Sequence, residues 1–259
     1  MYYIGLDSGS TTTKAAIFRD GKLLDHYLIP TGGRPKEAME EVIQYFKDKH
    51  QFNSEDMKVV STGYGRDLWP ADLVMTEITC HGRGAHYLYP GILQVVDIGG
   101  QDCKTMKLNG SGLVMDFNMN DRCAAGTGRF VEVMMRTLGQ GVEVLDDFVR
   151  DAQPAKINAT CTVFAESEVI SLLAKGVKQA DIALGALLSI SQRINGQYAK
   201  LRTKKHSPVL FTGGLSKSQA FVDILADRFD APVHRHDLGQ YAGAIGAAVI
   251  GMQRLKEEA

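Results

Sequence analysis

The sequence predicts an α/β protein built from two related lobes, and three observations support this fold class. An apolar, strand-like run that ends in Asp7 and Gly9 recurs 90 residues later at Asp97 and Gly99. Strand-like runs and segments of helical periodicity alternate in both halves of the chain. The length of 259 residues is enough for two halves of ordinary domain size.

Composition and charge describe an ordinary globular protein and make nucleic acid and anionic membranes less favoured as partners. Hydrophobic residues make up 44% and charged residues 23%, with a formal net charge of -1. A nearly neutral chain has no overall field that attracts nucleic acid or an anionic membrane, so we expect neither partner. The longest weakly polar run, residues 241–252, is shorter than the roughly 20 residues that cross a bilayer. Because the first residues lack the features of a signal peptide, we expect a cytoplasmic protein with reduced thiols.

Each copy of the repeat is predicted to form a β-hairpin that leads into a third strand. The turns are placed at Asp20–Gly21 and Asn109–Gly110, because Asp-Gly and Asn-Gly favour tight primed turns. Helical periodicity is readable in six segments: Pro35–Lys49, Arg129–Leu138, Val163–Lys175, Ile182–Leu201, Gln219–Asp230 and Tyr241–Lys256.

A second, weaker echo sets the domain boundaries. Val59–Gly63 resembles Val209–Gly213 at an offset of 150 residues, so the second half carries about 60 additional residues. We therefore predict an N-terminal lobe at residues 1–93 and a C-terminal lobe at residues 94–259. The insertion occupies about residues 116–206, and the last helix packs back at the lobe interface.

The repeated motif has the chemistry of a phosphate-binding loop. Small residues after Asp7 let backbone N–H groups approach phosphate oxygens, and nearby hydroxyls add donors. These residues are Gly9, Ser10, Thr11 and Thr12. A carboxylate at a strand end suits Mg²⁺, which keeps several waters, so Asp7 is predicted to face the metal. We call residues 7–12 the first phosphate loop.

The second copy places an equivalent set on the other lobe, and we call residues 97–102 the second phosphate loop. Its candidate residues are Asp97, Gly99, Gly100, Gln101 and Asp102. A later strand ends in Thr212, Gly213 and Gly214, where the backbone could approach a flat group such as adenine or ribose. Each motif alone could be an ordinary turn, but the fixed offset favours two hairpins that clamp phosphates in a cleft between the lobes.

Two Gly-rich segments read as closely packed helices where the lobes meet. They are residues 80–85 and 241–248, and they would form the hinge.

The four cysteines divide into two pairs. Cys123 and Cys161 precede predicted helices, whose N-termini favour thiolates and bound anions. Cys80 and Cys103 lie in an apolar helix and in the second hairpin. From the residues alone, core packing is the commoner role of such isolated cysteines, and zinc is an alternative although the spacing fits no zinc motif.

The insertion carries the most specific resemblance. Residues 120–130 (NDRCAAGTGRF) and 160–169 (TCTVFAESEV) resemble the BadF/BadG/BcrA/BcrD ATPase family, as do residues 97–102 and 61–66. That family includes the activators of 2-hydroxyacyl-CoA dehydratases and belongs to the actin, Hsp70 and sugar-kinase ATPase superfamily. The resemblance covers nearly the whole chain. It implies the actin-like ATPase fold, with ribonuclease H-like duplicated lobes and a nucleotide cleft between them.

The resemblance implies an ATP-dependent electron carrier of anaerobic metabolism. Cys123 and Cys161 would be two ligands of a [4Fe–4S] cluster, which takes four thiolates, so a homodimer would share one cluster. From the residues themselves, we expect the N–H groups of residues 126–128 to donate to the cluster sulfides, and a further phosphate-binding loop is the alternative for this segment. A reduced ferredoxin or flavodoxin would be the donor, and a 2-hydroxyacyl-CoA dehydratase or related CoA-ester reductase the acceptor.

ATP hydrolysis, ending in ADP, would make that transfer directional. Asp7 and Asp97 would position Mg²⁺ and its waters, and Gln101 or Asp102 would orient the attacking water. Two alternatives remain open at this point: a small-molecule kinase of the same superfamily, with Asp97 or Asp102 as the base, and a non-enzymatic nucleotide switch in which the cysteines only pack.

Overall fold

The computed structural model describes residues 1–121, 123–158 and 162–255. In these ranges the strands are β1 (Tyr2–Ser8), β2 (Thr12–Arg19), β3 (Lys22–Pro30), β4 (Met57–Gly63), β5 (Leu73–Val74), β6 (Gln94–Ile98), β7 (Cys103–Leu108), β8 (Val114–Asn120), β9 (Val209–Gly213) and β10 (Val233–Arg235). The α-helices are α1 (Pro35–His50), α2 (Glu77–Leu88), α3 (Gly128–Thr137), α4 (Leu145–Val149), α5 (Thr162–Ala174), α6 (Gln179–Leu201), α7 (Gln219–Phe229) and α8 (Ala242–Arg254).

The chain divides into two compact units that are interleaved along the sequence. The first contains residues 1–92, 108–115 and 238–259, and the second contains residues 93–107 and 116–237. The C-terminal helix α8 therefore belongs to the same unit as β1, although more than two hundred residues separate them in sequence.

The two five-stranded sheets have the same topology. The first has the order β3-β2-β1-β4-β5 and the second, in the same sense, β8-β7-β6-β9-β10. In each sheet the central strand is antiparallel to the strand that follows it in sequence and parallel to its other neighbour, β4 or β9. The predicted α/β fold with duplicated lobes is confirmed.

Strand register shows that residues related by either sequence offset occupy equivalent positions in the two sheets. In each sheet an aspartate on the central strand lies between a lysine of the antiparallel neighbour and a threonine of the parallel neighbour. These trios are Lys14, Asp7 and Thr62 in the first sheet and Lys104, Asp97 and Thr212 in the second. The offset of 90 residues relates the hairpins, and the offset of 150 residues relates the neighbouring strands.

The first hairpin has the predicted turn, whereas the second does not. Asp20 and Gly21 both have positive φ, 51° and 78°, as a primed turn requires. In the second hairpin the positive φ lies at Gly112, at 75°, and the Asn109 N–H donates to the Leu113 carbonyl. The prediction of a tight turn at Asn109–Gly110 is wrong because the Asn109 side chain accepts backbone N–H groups further along a wider loop.

All six helices predicted from periodicity are present, and their described ends lie within a few residues of the prediction. Helix α4 was not among the six predicted helices, because its five residues belong to the acidic stretch of residues 143–151, for which the sequence predicts a solvated face. Its burial of Leu145 and Val149 shows that this stretch also contributes to the core of the second unit.

The Gly-rich helices α2 and α8 pack closely within the first unit. A Cβ on Gly246 would lie 1.8 Å from the Cys80 carbonyl oxygen, and one on Gly84 would lie 1.8 Å from the Ala242 carbonyl oxygen. Helix α8 also packs on β1, where a Cβ on Gly5 would lie 1.8 Å from a helix carbonyl. The predicted close packing is confirmed, and a hinge role for these helices stays a prediction.

No helix in the described ranges combines the length and apolarity that crossing a bilayer requires.

Candidate functional site

Asp7 is a buried carboxylate at the end of β1. Its side chain is 2% exposed, and Oδ2 lies 3.4 Å from Lys14 Nζ. A Cβ on Gly243 would lie 2.7 Å from the same oxygen, so only glycine leaves room beside it. The carboxylate therefore has a fixed position, which suits a metal-positioning group, and Lys14 balances its charge.

The first phosphate loop presents its hydroxyls to solvent. The Gly9 N–H donates to the Thr12 carbonyl at 3.2 Å, while Thr31 donates from its hydroxyl to the Gly9 carbonyl at 2.7 Å. Ser10 and Thr11 are exposed at the tip of the turn. These bonds occupy loop carbonyls and leave the two hydroxyls accessible to a ligand.

Asp97 is held from two sides at the equivalent position of β6. The Thr212 hydroxyl donates to Oδ1 at 2.7 Å, and Lys104 Nζ lies 3.4 Å from Oδ2. The same ammonium forms an ion pair with Asp102. Asp97, Asp102 and Lys104 thus form one charged cluster, of which Lys104 is 1% exposed.

The second phosphate loop repeats the geometry of the first. The Gly99 N–H donates to the Asp102 carbonyl at 3.0 Å, the counterpart of the Gly9–Thr12 bond. Gln101 is exposed, whereas Asp102 is partly buried against Lys104. Of the two residues predicted to orient water, Gln101 is therefore the more accessible.

The Thr-Gly-Gly segment at the end of β9 contacts the second phosphate loop through its first side chain. Thr212 is fully buried and its hydroxyl is bonded to Asp97, so this side chain supports the carboxylate. Gly213 has a φ of 90°, which glycine adopts without strain, and it is buried. Gly214 is exposed, and contact between the backbone of this segment and a nucleoside stays a prediction.

Sequence reasoning missed the two lysines. Lys14 and Lys104 were visible as matched residues of the repeat but received no role. Their signal was their spacing, because each stands seven residues after the strand-end aspartate, and a tight hairpin returns the chain to that register.

The beginning of α3 bonds directly to the second phosphate loop. The Gly128 N–H donates to the Gly99 carbonyl at 2.9 Å, and the Arg129 N–H donates to the Gly100 carbonyl at 2.8 Å. The first N–H groups of a helix lack partners within the helix, and here two loop carbonyls accept from them. Two backbone hydrogen bonds therefore join the second phosphate loop to the first turn of α3.

These bonds correct one prediction about the insertion. The N–H groups of residues 126–128 were expected to donate to cluster sulfides. The Thr127 N–H instead donates to the Ala124 carbonyl at 3.1 Å, and the Gly128 N–H is taken by Gly99. The prediction is wrong for these two groups, because backbone carbonyls already satisfy them.

Cys123 is half-buried, and the Asn120 side chain fixes its backbone. The Cys123 N–H donates to Asn120 Oδ1 at 3.2 Å, and Asn120 Nδ2 donates to the Cys123 carbonyl at 2.8 Å. Cys123 lies five residues before Gly128, so the prediction that it sits at the helix N-terminus is too simple.

Cys161 lies outside the described residues, and α5 begins at Thr162. The chain that leads to this position is anchored from two helices. The Asn158 N–H donates to the carboxylate of Glu168 on α5 at 3.0 Å, and the Gln153 N–H donates to Asp181 Oδ1 at 2.8 Å.

The other two cysteines are buried and protonated. Burial raises the pKa of the Cys80 thiol to about 12 and that of the Cys103 thiol to about 12. Nearby carboxylates, Asp7 for Cys80 and Asp97 for Cys103, act in the same direction. Both behave as small core residues, which makes them poor candidates for cluster ligands.

Comparison with known proteins decides the family, because the BadF/BadG/BcrA/BcrD ATPase family matches residues 4–251. The chain belongs to this family of ATPases. The family resemblance expected from the motifs is thereby confirmed, and so is ATPase activity.

Two relatives match over almost their whole length. The uncharacterized protein YjiL of Escherichia coli (strain K12) is 45% identical over 97% of this chain and 97% of its own. The 2-hydroxyisocaproyl-CoA dehydratase activator of Clostridioides difficile is 36% identical over 99% of this chain and 97% of its own. A structure of that activator with bound ADPNP superimposes with a TM-score of 0.91, covering 99% of this chain and 96% of that chain.

A more distant structure extends the fold assignment. The ROK hexokinase of Thermus thermophilus, 16% identical, superimposes with a TM-score of 0.55 over 99% of this chain and 100% of its own. This likeness concerns the fold alone. The actin-like ATPase fold is confirmed.

Proposed function

We propose that this ATPase carries electrons and uses ATP to drive them into a 2-hydroxyacyl-CoA dehydratase or a related CoA-ester reductase. The observation that carries the proposal is the pair of hydrogen bonds from Gly128 and Arg129 to the carbonyls of Gly99 and Gly100. They join the second phosphate loop to the segment that follows Cys123. A nucleotide-dependent shift of the loop would therefore reach the cysteine that we assign to the cluster.

The name and ligand of the solved relative support the two ends of this function. Its name makes it the activator of an acyl-CoA dehydratase, and its structure contains the ATP analogue ADPNP. At 36% identity over nearly the full chain, we transfer ATP and ADP as nucleotides and a dehydratase as partner.

The cysteines fit a shared [4Fe–4S] cluster. Cys123 is partly exposed, whereas the raised pKa values of Cys80 and Cys103 keep those thiols protonated. Since such a cluster takes four thiolates, Cys123 and Cys161 from each of two chains would complete the set in a homodimer. The cluster, when bound, would accept one electron from a ferredoxin or flavodoxin and release it to the acceptor.

Asp7 and Asp97 each offer oxygen ligands of the kind that Mg²⁺ prefers. Each carboxylate is buried and fixed at the equivalent position of its own sheet, which suits a metal held through waters. The groups that would hold phosphates are Gly9, Ser10, Thr11, Thr12, Gly99 and Gly100. Gln101 is exposed and would orient the attacking water.

The chain's own residues would couple the two sites in three steps. Thr212 and Lys104 hold the Asp97 carboxylate in one orientation. A shift of the Gly99 and Gly100 carbonyls would displace the first turn of α3, because the N–H groups of Gly128 and Arg129 donate to them. The Asn120 side chain, bonded to both the N–H and the carbonyl of Cys123, keeps that residue in step with its loop. Such coupling requires that ATP bind the two arrangements with different affinity.

The cysteine variants test the cluster assignment. We propose a cytoplasmic location, so the protein is purified without oxygen under reducing conditions. It should then contain about two iron atoms per chain. Cys123→Ser and Cys161→Ser should each lose the iron and its visible absorption. Cys80→Ser and Cys103→Ser are the matched controls and should keep both. Equal iron loss in all four variants, or a wild-type protein that contains no iron, would contradict the shared-cluster proposal.

A further inference from the structure

We propose that Lys104 is a positioning residue that occupies the carboxylates of Asp97 and Asp102 in the nucleotide-free protein and keeps a divalent cation out until nucleotide binds. This deepens the proposed function and rests on it only where it assigns Asp97 to the metal.

The burial of Lys104 carries the first step. Its side chain is 1% exposed, that of Asp97 is 2% exposed and that of Asp102 is 19% exposed. Removing an ammonium from water is costly, and it persists in an interior only beside anionic partners. Lys104 therefore depends on these two carboxylates for its place in the fold.

The geometry makes the ammonium and a metal competitors. The Thr212 hydroxyl donates to Asp97 Oδ1, while Lys104 Nζ lies 3.4 Å from Oδ2 and ion-pairs with Asp102. A divalent cation that approached Asp97 at Oδ2 would meet the ammonium at short range. Like charges at that distance repel strongly in a site of low polarity. The cation can bind there only if Lys104 moves.

The lysine of the first hairpin has one carboxylate partner fewer than the lysine of the second. Lys14 stands beside Asp7 at the matching distance of 3.4 Å, but it is 16% exposed. The position equivalent to Asp102 is Thr12, which has no charge. Two carboxylates on one buried lysine are therefore a property of the second phosphate loop, and the exclusion of metal is assigned to that loop.

The phosphate groups of a nucleotide would give the displaced Lys104 ammonium a new anionic partner. If a metal arrives together with phosphate groups, the carboxylates gain the metal and the displaced ammonium gains an anion. Each cation then keeps a partner before and after the exchange. The four-carbon stem of lysine allows its ammonium to turn while the backbone stays in register with β6. Metal binding would thereby be made conditional on nucleotide.

The test is a titration of nucleotide-free protein with Mn²⁺, followed by electron paramagnetic resonance of the unbound ion. We expect weak binding by the wild type and binding at least about tenfold tighter by Lys104→Met, as expected for loss of one close charge. Lys104→Arg should retain the weak binding of the wild type. Lys14→Met is the matched control and should gain less, and adding Asp102→Asn to Lys104→Met should remove the gain.

Three results would overturn the proposal. They are equal Mn²⁺ affinity in wild type and Lys104→Met, an equal gain in Lys14→Met, and a gain that survives Asp102→Asn. If Lys104→Met does not fold alone, Mn²⁺ should restore its circular dichroism, and failure to do so counts against the proposal. The titration needs neither iron nor an electron acceptor, so failure of the electron-carrier proposal would leave its result unchanged.

Discussion

Asp97→Asn is expected to lower the rate of MgATP hydrolysis by about 100-fold or more, the loss typical when a fixed charged group is removed from a reaction centre. Asparagine has nearly the same shape and can still accept from the Thr212 hydroxyl, which lies 2.7 Å from Oδ1. It lacks the negative charge that we assign to positioning Mg²⁺. Lys104 would keep Asp102 as a counter-ion, so the fold should survive.

Phosphate release in the presence of excess MgATP measures this effect. Asp116→Asn is the matched control, because Asp116 is an exposed carboxylate on β8 outside both phosphate loops, and it should hydrolyse ATP at the wild-type rate. The thermal midpoint of Asp97→Asn should stay close to that of the wild type. Full turnover in Asp97→Asn would show that the metal-positioning role has been given to the wrong residue.

Gly246→Ala should lower the free energy of unfolding by about 3 kcal/mol or more, because a methyl group forced into a packed site shifts the backbone. The added Cβ would lie 1.8 Å from the Cys80 carbonyl oxygen, a distance that no rotamer change can relieve. Helices α2 and α8 would have to separate, and both belong to the core of the first unit.

Gly196→Ala provides the control in a helix of the second unit. Nothing lies within 4 Å of a Cβ at Gly196, and the residue is exposed on α6. Its stability should be unchanged or higher by up to about 1 kcal/mol, since alanine favours helix over glycine. Urea unfolding followed by circular dichroism compares the two variants. If both shift the free energy of unfolding equally, the close packing of α2 on α8 is not what holds the first unit.

The duplicated carboxylates could be predicted from the sequence because a repeat fixes both register and residue type. Asp7 and Asp97 stand at the ends of matching strands, where the repeat places them. The same logic would have found Lys14 and Lys104, since hairpin pairing puts a residue seven positions later beside each aspartate.

Other parts of the site leave no sequence pattern. The bonds from Gly128 and Arg129 to the second phosphate loop use backbone groups, which every residue type except proline provides. The burial of Thr212 against Asp97 depends on the pairing of strands more than a hundred residues apart. In the second hairpin, local hydrogen bonds of the Asn109 side chain outweighed the usual turn preference of Asn-Gly.

If nucleotide changes the surroundings of the cluster, it should change the rate at which a chelator removes the iron. Without oxygen, this rate is measured for nucleotide-free, ADP-bound and ATP-analogue-bound protein. We expect rates that differ several-fold between these states in the wild type. The difference should shrink in Gly128→Pro, because the proline ring replaces the N–H that donates to Gly99 and pushes the Gly99 carbonyl away from the first turn of α3. Indistinguishable rates in the three states of the wild type would show that nucleotide does not act on the cluster.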